Sequence, residues 1–243
     1  MRLARQPVFL ASLALNLIGF GLHVVALQSL PLFLVQAVIA ACVAVTALLS
    51  VRFFGARLSR WQWLSVALVV LGLALLGPTA ETNEEVVGGN GEAMVLLAAV
   101  LVAGLLSVAA ARLPRSAVPV TLGLLAGVAY GVVALAARLL PDLSIGALLT
   151  TPASYVLAVA GAVAFLLYST AMQRGSVTTT TAALVITQTA VPALVGVLLL
   201  GDRVQEGQAP VAVAGFLLAL GGALGLARFE SSPHPSDQAV AST

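Results

Sequence analysis

The sequence predicts an all-α integral membrane protein with about eight transmembrane helices in two inverted-topology repeats, and three observations support this prediction. The 243 residues are 60% hydrophobic and only 8% charged, with a mean hydropathy of +1.10. Apolar runs of about twenty residues, the length that crosses a bilayer as a helix, recur along the whole chain. Two distant stretches also read as copies of one another. A soluble domain of this size needs far more polar surface, so the lipid bilayer is a predicted partner.

The predicted spans are continuous apolar segments. They lack the alternation of polar and apolar residues that a membrane β-strand requires, so helices are predicted throughout. The segments are 8–27, 32–51, 61–77, 93–111, 118–137, 152–172, 177–200 and 210–227. The first segment follows two arginines but no small-residue cleavage site, so a retained span is predicted rather than a signal peptide.

The arginines predict the orientation, because short cytoplasmic loops carry an excess of positive charge. With a cytoplasmic N-terminus, the inner side holds Arg2, Arg5, Arg52, Arg57, Arg60, Arg112, Arg115, Arg174 and Arg228, and the outer side holds Arg138 and Arg203. The acidic residues Glu81, Glu84, Glu85 and Glu92 then fall in an outer loop. The sequence therefore predicts a multi-pass protein of the plasma membrane with both termini in the cytoplasm and a disordered tail at 229–243.

Region 23–77 reads as a diverged copy of region 168–225. The aligned points are residues 26–28 with 171–173, Gly55 with Gly201 and Gln62 with Gln208. The two copies begin at the first and sixth spans, an odd number of crossings apart, so they must have opposite orientations in the membrane. Inverted repeats of this kind are typical of secondary transporters, whose substrate site lies near the midplane.

Several short motifs carry a family resemblance. They are Ala171-Met172-Gln173-Arg174-Gly175-Ser176, Pro192, Leu199-Leu200-Gly201-Asp202-Arg203-Val204, and the glycines Gly215 and Gly221 of the last span. The fifth span, with Gly123, Gly127 and Gly131, is similar to the first helix of the same kind of unit. Together these features resemble the EamA-like members of the drug/metabolite transporter superfamily, with Asp202 where the family usually has Glu.

The resemblance implies a division of the chain. Residues 1–78 form an incomplete first repeat of three helices whose opening helix is missing, and residues 79–115 hold the acidic outer loop and a linker helix. Residues 116–228 form a complete second repeat of four helices. This layout also resembles the NIPA-type magnesium transporters, although Phe20 stands where that family carries an acidic residue beside the position of Gly19.

Neutral polar side chains are the candidates for a substrate site, because no Asp, Glu or Arg falls in the middle of any predicted span. His23 lies one heptad after Asn16, on the same helix face. A stripe at three- and four-residue spacing follows the seventh span through Thr178, Thr181, Val185, Gln188 and Pro192. The predicted cavity residues are His23, Gln36, Tyr130, Tyr168, Thr181 and Gln188, and Pro192 is predicted to kink its helix. Hydrogen bonds between or within helices are the alternative role for each of them.

A neutral polar cavity suits a small metabolite or an amphiphilic compound better than a divalent cation, whose ligands are usually anionic oxygens. The sequence therefore predicts a secondary transporter that works by alternating access. The alternatives are a NIPA-type Mg²⁺ transporter and a non-transporting or truncated membrane subunit. An enzyme is not predicted, because the chain has no Gly-x-Ser-x-Gly motif and no carboxylate to orient its intramembrane His. No catalytic residue, metal ligand, cofactor or nucleic-acid partner is predicted, and the cargo and the oligomeric state are left open.

Overall fold

The computed structural model describes residues 7–55, 58–81, 89–110, 112–141, 144–200 and 202–229. Within these ranges the fold is all-helical, with nine α-helices, one isolated β-bridge and no strand. The helices are α1 (Pro7–Ser29), α2 (Leu32–Phe54), α3 (Arg60–Leu76), α4 (Asn90–Ala110), α5 (Val118–Arg138), α6 (Ile145–Thr150), α7 (Pro152–Arg174), α8 (Val177–Leu199) and α9 (Ala209–Phe229). A 3-10 turn at Gly77–Thr79 follows α3.

Seven of these helices, α2–α5 and α7–α9, are long and apolar enough to cross a membrane, and they match the second to eighth predicted spans. Helix α1 covers the predicted first span, but its described apolar stretch, Ile18–Ser29, is shorter. The described helices are those of a multi-pass membrane protein. Predictions on Arg2, Arg5, Arg57, Glu84, Glu85, Gly201, residues 230–243 and the side chains of Asn16, Thr178 and Arg228 lie outside the described residues.

Local sequence sets the helix ends. Ser59 and Gln62 form a capping box at the start of α3, in which Gln62 N donates to Ser59 Oγ at 3.3 Å and Ser59 N donates to Gln62 Oε1 at 2.7 Å. Gly55 ends α2 with a φ of 65°, in the left-handed region that favours glycine. The short helix α6, which the sequence analysis did not predict, begins where Ser144 Oγ accepts a hydrogen bond from Ala147 N at 3.2 Å.

Glycines bring α5 close to α8, while α7 packs on another side of α5. A Cβ on Gly123 would lie 2.7 Å from Thr180 O, and a Cβ on Gly131 would lie 3.1 Å from Pro192 Cδ. A Cβ on Gly127 would collide with α8 as well. The overlapping GxxxG spacing predicts this close packing of two helix backbones, and the structure confirms it.

Small residues also bring α3 and α9 together. A Cβ on Gly222 would lie 2.6 Å from Ser65 O, and a Cβ on Gly215 would lie 2.8 Å from Gly72 O. The early part of α3 therefore contacts the late part of α9, and the late part of α3 contacts the early part of α9. The two helices are antiparallel.

Helices α2 and α8 are antiparallel too, because Leu32 at the start of α2 lies against Gly196 near the end of α8, with 3.0 Å between Leu32 Cβ and a Cβ built on Gly196. The end of α1, the end of α5 and the start of α7 meet in one apolar cluster, through Leu27, Ala137 and Ala153. Two cavities bring the starts of α4 and α9 to the end of α8. One end of the bundle holds the last residues of α1, α3, α5 and α8. It also holds the first residues of α2, α4, α7 and α9. We call it the α1–α2 end.

Candidate functional site

Three of the six predicted cavity residues come together where α5, α7 and α8 meet. The hydroxyl oxygens of Tyr168 in α7 and Thr181 in α8 are 3.0 Å apart and share a hydrogen bond, and both residues are half-buried. Tyr130 of α5 packs with Tyr168 against one apolar cluster of these helices. Each hydroxyl can both donate and accept a hydrogen bond, so the Tyr130–Tyr168–Thr181 group presents neutral polar chemistry between spanning helices.

The other three predicted cavity residues are not joined to that group. His23 in α1 and Gln188 in α8 are half-buried, and Gln36 in α2 is only 2% exposed. Within the described residues, none of these three side chains makes a hydrogen bond. An unpartnered polar group is costly away from water, so such side chains are expected to face a ligand or a wet cavity. Their cavity role stays a prediction.

Two buried threonines of α8 were not among the predicted cavity residues. Thr180 and Thr189 are 0% exposed, and their Oγ1 atoms have no partner in the described part of the chain. Thr189 precedes Ala193 by one helical turn, and Ala193 packs with Phe33 and Ala37 of α2. Because an unpartnered buried hydroxyl is uncommon, Thr189 marks a polar point within the α2–α8 interface. No pattern in the sequence distinguishes it from the other threonines of α8.

Pro192 lies inside α8 and is buried against Gly131 of α5. It has no N–H, so Gln188 O loses the helix hydrogen bond that it would otherwise accept. Helix α8 continues past this position to Leu199. The kink stays a prediction, while the freed carbonyl belongs to one of the predicted cavity residues.

A buried ion pair lies at the α1–α2 end. Arg138 Nη2 and Asp202 Oδ1 are 2.9 Å apart, and the two side chains are 2% and 0% exposed. Arg138 Nη1 also donates to Leu27 O at 3.1 Å and to Leu30 O at 2.8 Å. Asp202 Oδ2 accepts from Leu32 N at 2.6 Å. This Arg138–Asp202 pair joins the α1–α2 turn to the ends of α5 and α8.

The pair matches the partial charges of two helix ends. Leu27 and Leu30 contribute carbonyls at the C-terminal end of α1, where the helix dipole favours a cation. Leu32 contributes an N–H at the N-terminal end of α2, where the dipole favours an anion. Each charge is therefore compensated by its partner and by a helix end, which offsets the cost of removing it from water. Gly196 leaves room for the carboxylate, because a Cβ on Gly196 would collide with Asp202 Oδ2.

The sequence places Arg138 on the outer side and Asp202 in a family motif, but it does not predict that the two residues pair. Arg138 is the last residue of α5, Asp202 lies just beyond α8, and both are buried rather than solvated. The sequence contains one signal for this pair. A basic residue stands at the end of one predicted span, and an acidic residue directly follows another span on the same predicted side. That signal could not identify the two residues as partners.

Two apolar cavities open between the helices. One of about 700 Å³ lies between α4, α5 and α8, with Glu92 as the charged residue of its lining. Another of about 390 Å³ lies between α2, α8 and α9. None of the six predicted cavity residues lines either of them. Over the described ranges, no three His, Cys, Asp or Glu side chains are grouped closely enough to hold a metal ion.

Comparisons with protein-family models, with curated proteins and with solved structures found no match for this chain. The fold and the site therefore define its class. It is a multi-pass, all-helical membrane protein with neutral polar groups inside its spanning helices and a buried ion pair at one end of the bundle.

Proposed function

We propose that the protein is a secondary transporter of the EamA-like kind, within the drug/metabolite transporter superfamily, that moves a small metabolite or an amphiphilic compound. In this proposal α1–α3 (residues 1–78) belong to the first repeat and α4 is the linker helix. Helices α5, α7, α8 and α9 (residues 116–228) form the second repeat. Two repeats of opposite orientation can exchange their conformations, which gives alternating access to a site between them.

The observation that carries the proposal is the packing of predicted counterparts against each other. The sequence alignment makes α2 the counterpart of α8 and α3 the counterpart of α9. In the fold α2 packs on α8 and α3 packs on α9, and both pairs are antiparallel. An approximate two-fold axis in the membrane plane requires this arrangement, because helices beside the axis contact their own counterparts in the opposite direction.

The contacts between α3 and α9 are also reciprocal. The alignment of the two turns, continued without gaps, pairs Val69 with Gly215 and Leu76 with Gly222. In the fold Val69 lies against Gly222, and Leu76 lies against Gly215. Each residue contacts the counterpart of the other, which is the pattern of an isologous two-fold interface.

The polar chemistry supports an uncharged or amphiphilic substrate. The Tyr130–Tyr168–Thr181 group offers hydroxyls beside apolar side chains, and Gln36 and Gln188 add amides with no partner in the described residues. Sites that combine apolar walls with a few placed polar groups bind small organic molecules. Mg²⁺ takes several oxygen ligands and usually at least one carboxylate.

The distribution of arginines supports a plasma-membrane orientation with cytoplasmic termini. The exposed arginines of the described helices and turns at the end opposite the α1–α2 end are Arg52, Arg60, Arg112, Arg115 and Arg174. At the α1–α2 end, Asp202 neutralises Arg138. The excess of exposed arginines therefore lies opposite the α1–α2 end, which supports an outer location for the α1–α2 end.

Ligand-induced thermal stabilisation of the purified protein tests the proposal, with amino acids, nucleobases, cationic amphiphiles and Mg²⁺ as probes. A probe at a hundredfold excess over its Kd adds about 2.7 kcal/mol to the free energy of unfolding. Tyr168→Phe, His23→Ala and Gln188→Ala are expected to weaken the stabilisation. Tyr155→Phe is the matched control, because it removes an exposed tyrosine hydroxyl from the same helix.

Each outcome of the screen has one meaning. Stabilisation by one organic class, followed by saturable uptake of that compound into proteoliposomes, supports the proposal. Stabilisation and uptake with Mg²⁺ alone would favour the NIPA-type alternative. Neither stabilisation nor uptake with any probe would favour a non-transporting subunit.

A further inference from the structure

We propose that the Arg138–Asp202 pair is the gate that closes the α1–α2 end of the transport path. The inference rests on the proposed alternating-access function and assigns named residues to one of its steps. The gate is closed in this structure, because Arg138 and Asp202 hold the α1–α2 turn of the first repeat against the ends of α5 and α8 in the second.

Two further links between the proposed repeats lie at the same end. Gln28 Nε2 donates to Leu140 O at 2.8 Å, directly beside the pair. In the β-bridge between Ala80 and Val204, Gln205 N donates to Thr79 O at 3.0 Å and Glu81 N donates to Arg203 O at 3.5 Å. The α1–α2 turn and the end of α3 are therefore both tied to the second repeat at the α1–α2 end.

The opposite end has a different kind of hydrogen bonding in the described turns. Ser59 bonds to Gln62, and Ser176 bonds to Thr179, so these contacts each stay within one helical turn. The bond between Tyr168 and Thr181 joins two helices of the second repeat. Among the described residues, the hydrogen bonds between the proposed repeats therefore lie at the α1–α2 end, as expected for a carrier that is closed on that side.

The chemistry of the pair suits a gate better than it suits a structural support. A buried ion pair contributes little net stability, because the attraction between the charges is largely offset by the loss of their hydration. When the end opens, water can solvate Arg138, Asp202, the α1 carbonyls and the Leu32 N–H. The open arrangement is then a minor but populated state, which is what a two-state element needs.

A substitution at Gly196 is expected to open the gate without changing any charge. The missing side chain of Gly196 leaves the space that Asp202 Oδ2 occupies, so Gly196→Ala is expected to displace the carboxylate. Gly221→Ala is the matched control, because a Cβ on Gly221 meets nothing within 4 Å and this glycine also lies inside a helix. Asp202→Asn is the second opening variant, which removes the charge and keeps a similar shape.

Hydrogen–deuterium exchange of the full chain in lipid nanodiscs tests the gate. Gly196→Ala and Asp202→Asn are each expected to raise exchange about tenfold in segment 27–35, because a hydrogen bond to a charged group shifts an equilibrium by at least that factor. Segment 77–81 is bonded to the second repeat through the backbone of Arg203 and Gln205. Its exchange is expected to rise together with that of 27–35, since the end opens as one unit. In both opening variants, the exchange of segment 65–72 in the α3–α9 interface is expected to equal that measured in Gly221→Ala.

A rise in segment 27–35 alone would overturn the proposal, because the pair would then be a local contact. No rise in either segment would overturn it as well. Loss of a monodisperse folded protein in both variants, with Gly221→Ala intact, would make the pair a structural element rather than a gate. If only one of the two variants folds, the exchange measured for that variant tests the proposal. No substrate is needed, so failure of the gate is distinguishable from failure of the transport proposal, which the ligand screen and uptake decide.

Discussion

Val69 of α3 lies directly against Gly222 of α9. A Cβ built on Gly222 would be 2.8 Å from Val69 Cγ2 and 2.6 Å from Ser65 O, so the two backbones approach each other as closely as a glycine permits. Spanning helices have no hydrophobic driving force between them in lipid, and close packing of this kind is what holds them together. The contact joins the two proposed repeats at the centre of their interface.

Replacing Gly222 by alanine is therefore expected to destabilise the protein. The new methyl group overlaps backbone atoms of α3 and forces the helices apart, which should lower the free energy of unfolding by about 1–3 kcal/mol. Gly221→Ala, one position earlier, meets open space and should be neutral or stabilising by up to about 1 kcal/mol. Thermal unfolding of the two purified variants measures the difference, and equal transition temperatures would contradict the close contact.

The hydrogen bond between Tyr168 and Thr181 should appear as an energetic coupling. Tyr168→Phe and Thr181→Val each remove one hydroxyl of the hydrogen bond. Once one substitution has removed the bond, the other causes no further loss from it. A double-mutant cycle on unfolding free energy is expected to give a coupling of about 0.5–1.5 kcal/mol. The same cycle with Tyr155→Phe in place of Tyr168→Phe should give a coupling near zero, and a zero value in both cycles would argue against the bond.

The substitution Arg138→Lys is expected to destabilise the protein, although it keeps the positive charge. The planar guanidinium contacts Asp202 through Nη2 and the carbonyls of Leu27 and Leu30 through Nη1, whereas an ammonium group carries all its donors on one nitrogen. Arg138→Lys is expected to lower the free energy of unfolding by about 1–3 kcal/mol. Arg60→Lys, at an exposed arginine, should change it by less than about 0.5 kcal/mol. Unfolding curves that coincide for both variants would be inconsistent with the geometry of the pair.

The orientation can be measured with single cysteines. The native Cys42 is exposed, so the background is Cys42→Ser. Ser116→Cys lies in the exposed turn before α5, and Glu206→Cys lies in the exposed turn before α9. In intact cells a membrane-impermeant maleimide should label Glu206→Cys and spare Ser116→Cys. The reverse pattern would place the α1–α2 end in the cytoplasm.

The spans were readable from the sequence because the bilayer imposes both their length and their backbone conformation. The predicted segments 32–51 and 177–200 became α2 (Leu32–Phe54) and α8 (Val177–Leu199), with ends shifted by a few residues. Helix α6 was missed because six residues between two spans carry no periodic pattern that distinguishes a helix from a loop.

The sequence predicts only part of the candidate site. The spacing of Gly123, Gly127 and Gly131 fixes a single face of α5, so their packing role followed from the sequence. Helical spacing also placed Thr181 on a polar stripe, but it could not show that Tyr168 of another helix lies within hydrogen-bond distance. The Arg138–Asp202 pair was missed, because tertiary packing rather than local pattern decides which distant charges meet.

Alternating access requires that a midplane site be reached from each side of the membrane in turn, and the reactivity of Gln188→Cys in a Cys42→Ser background measures this. Gln188 is half-buried near the middle of α8. The measurement is labelling by an impermeant maleimide in sealed vesicles of each orientation. The control is Leu194→Cys, which replaces an apolar residue of α8 that is 60% exposed. Alternating access predicts that Gln188→Cys reacts from both sides, that Leu194→Cys reacts from neither, and that the vesicles stay impermeable to the reagent. Reaction of Gln188→Cys from one side only, or from neither, would contradict it.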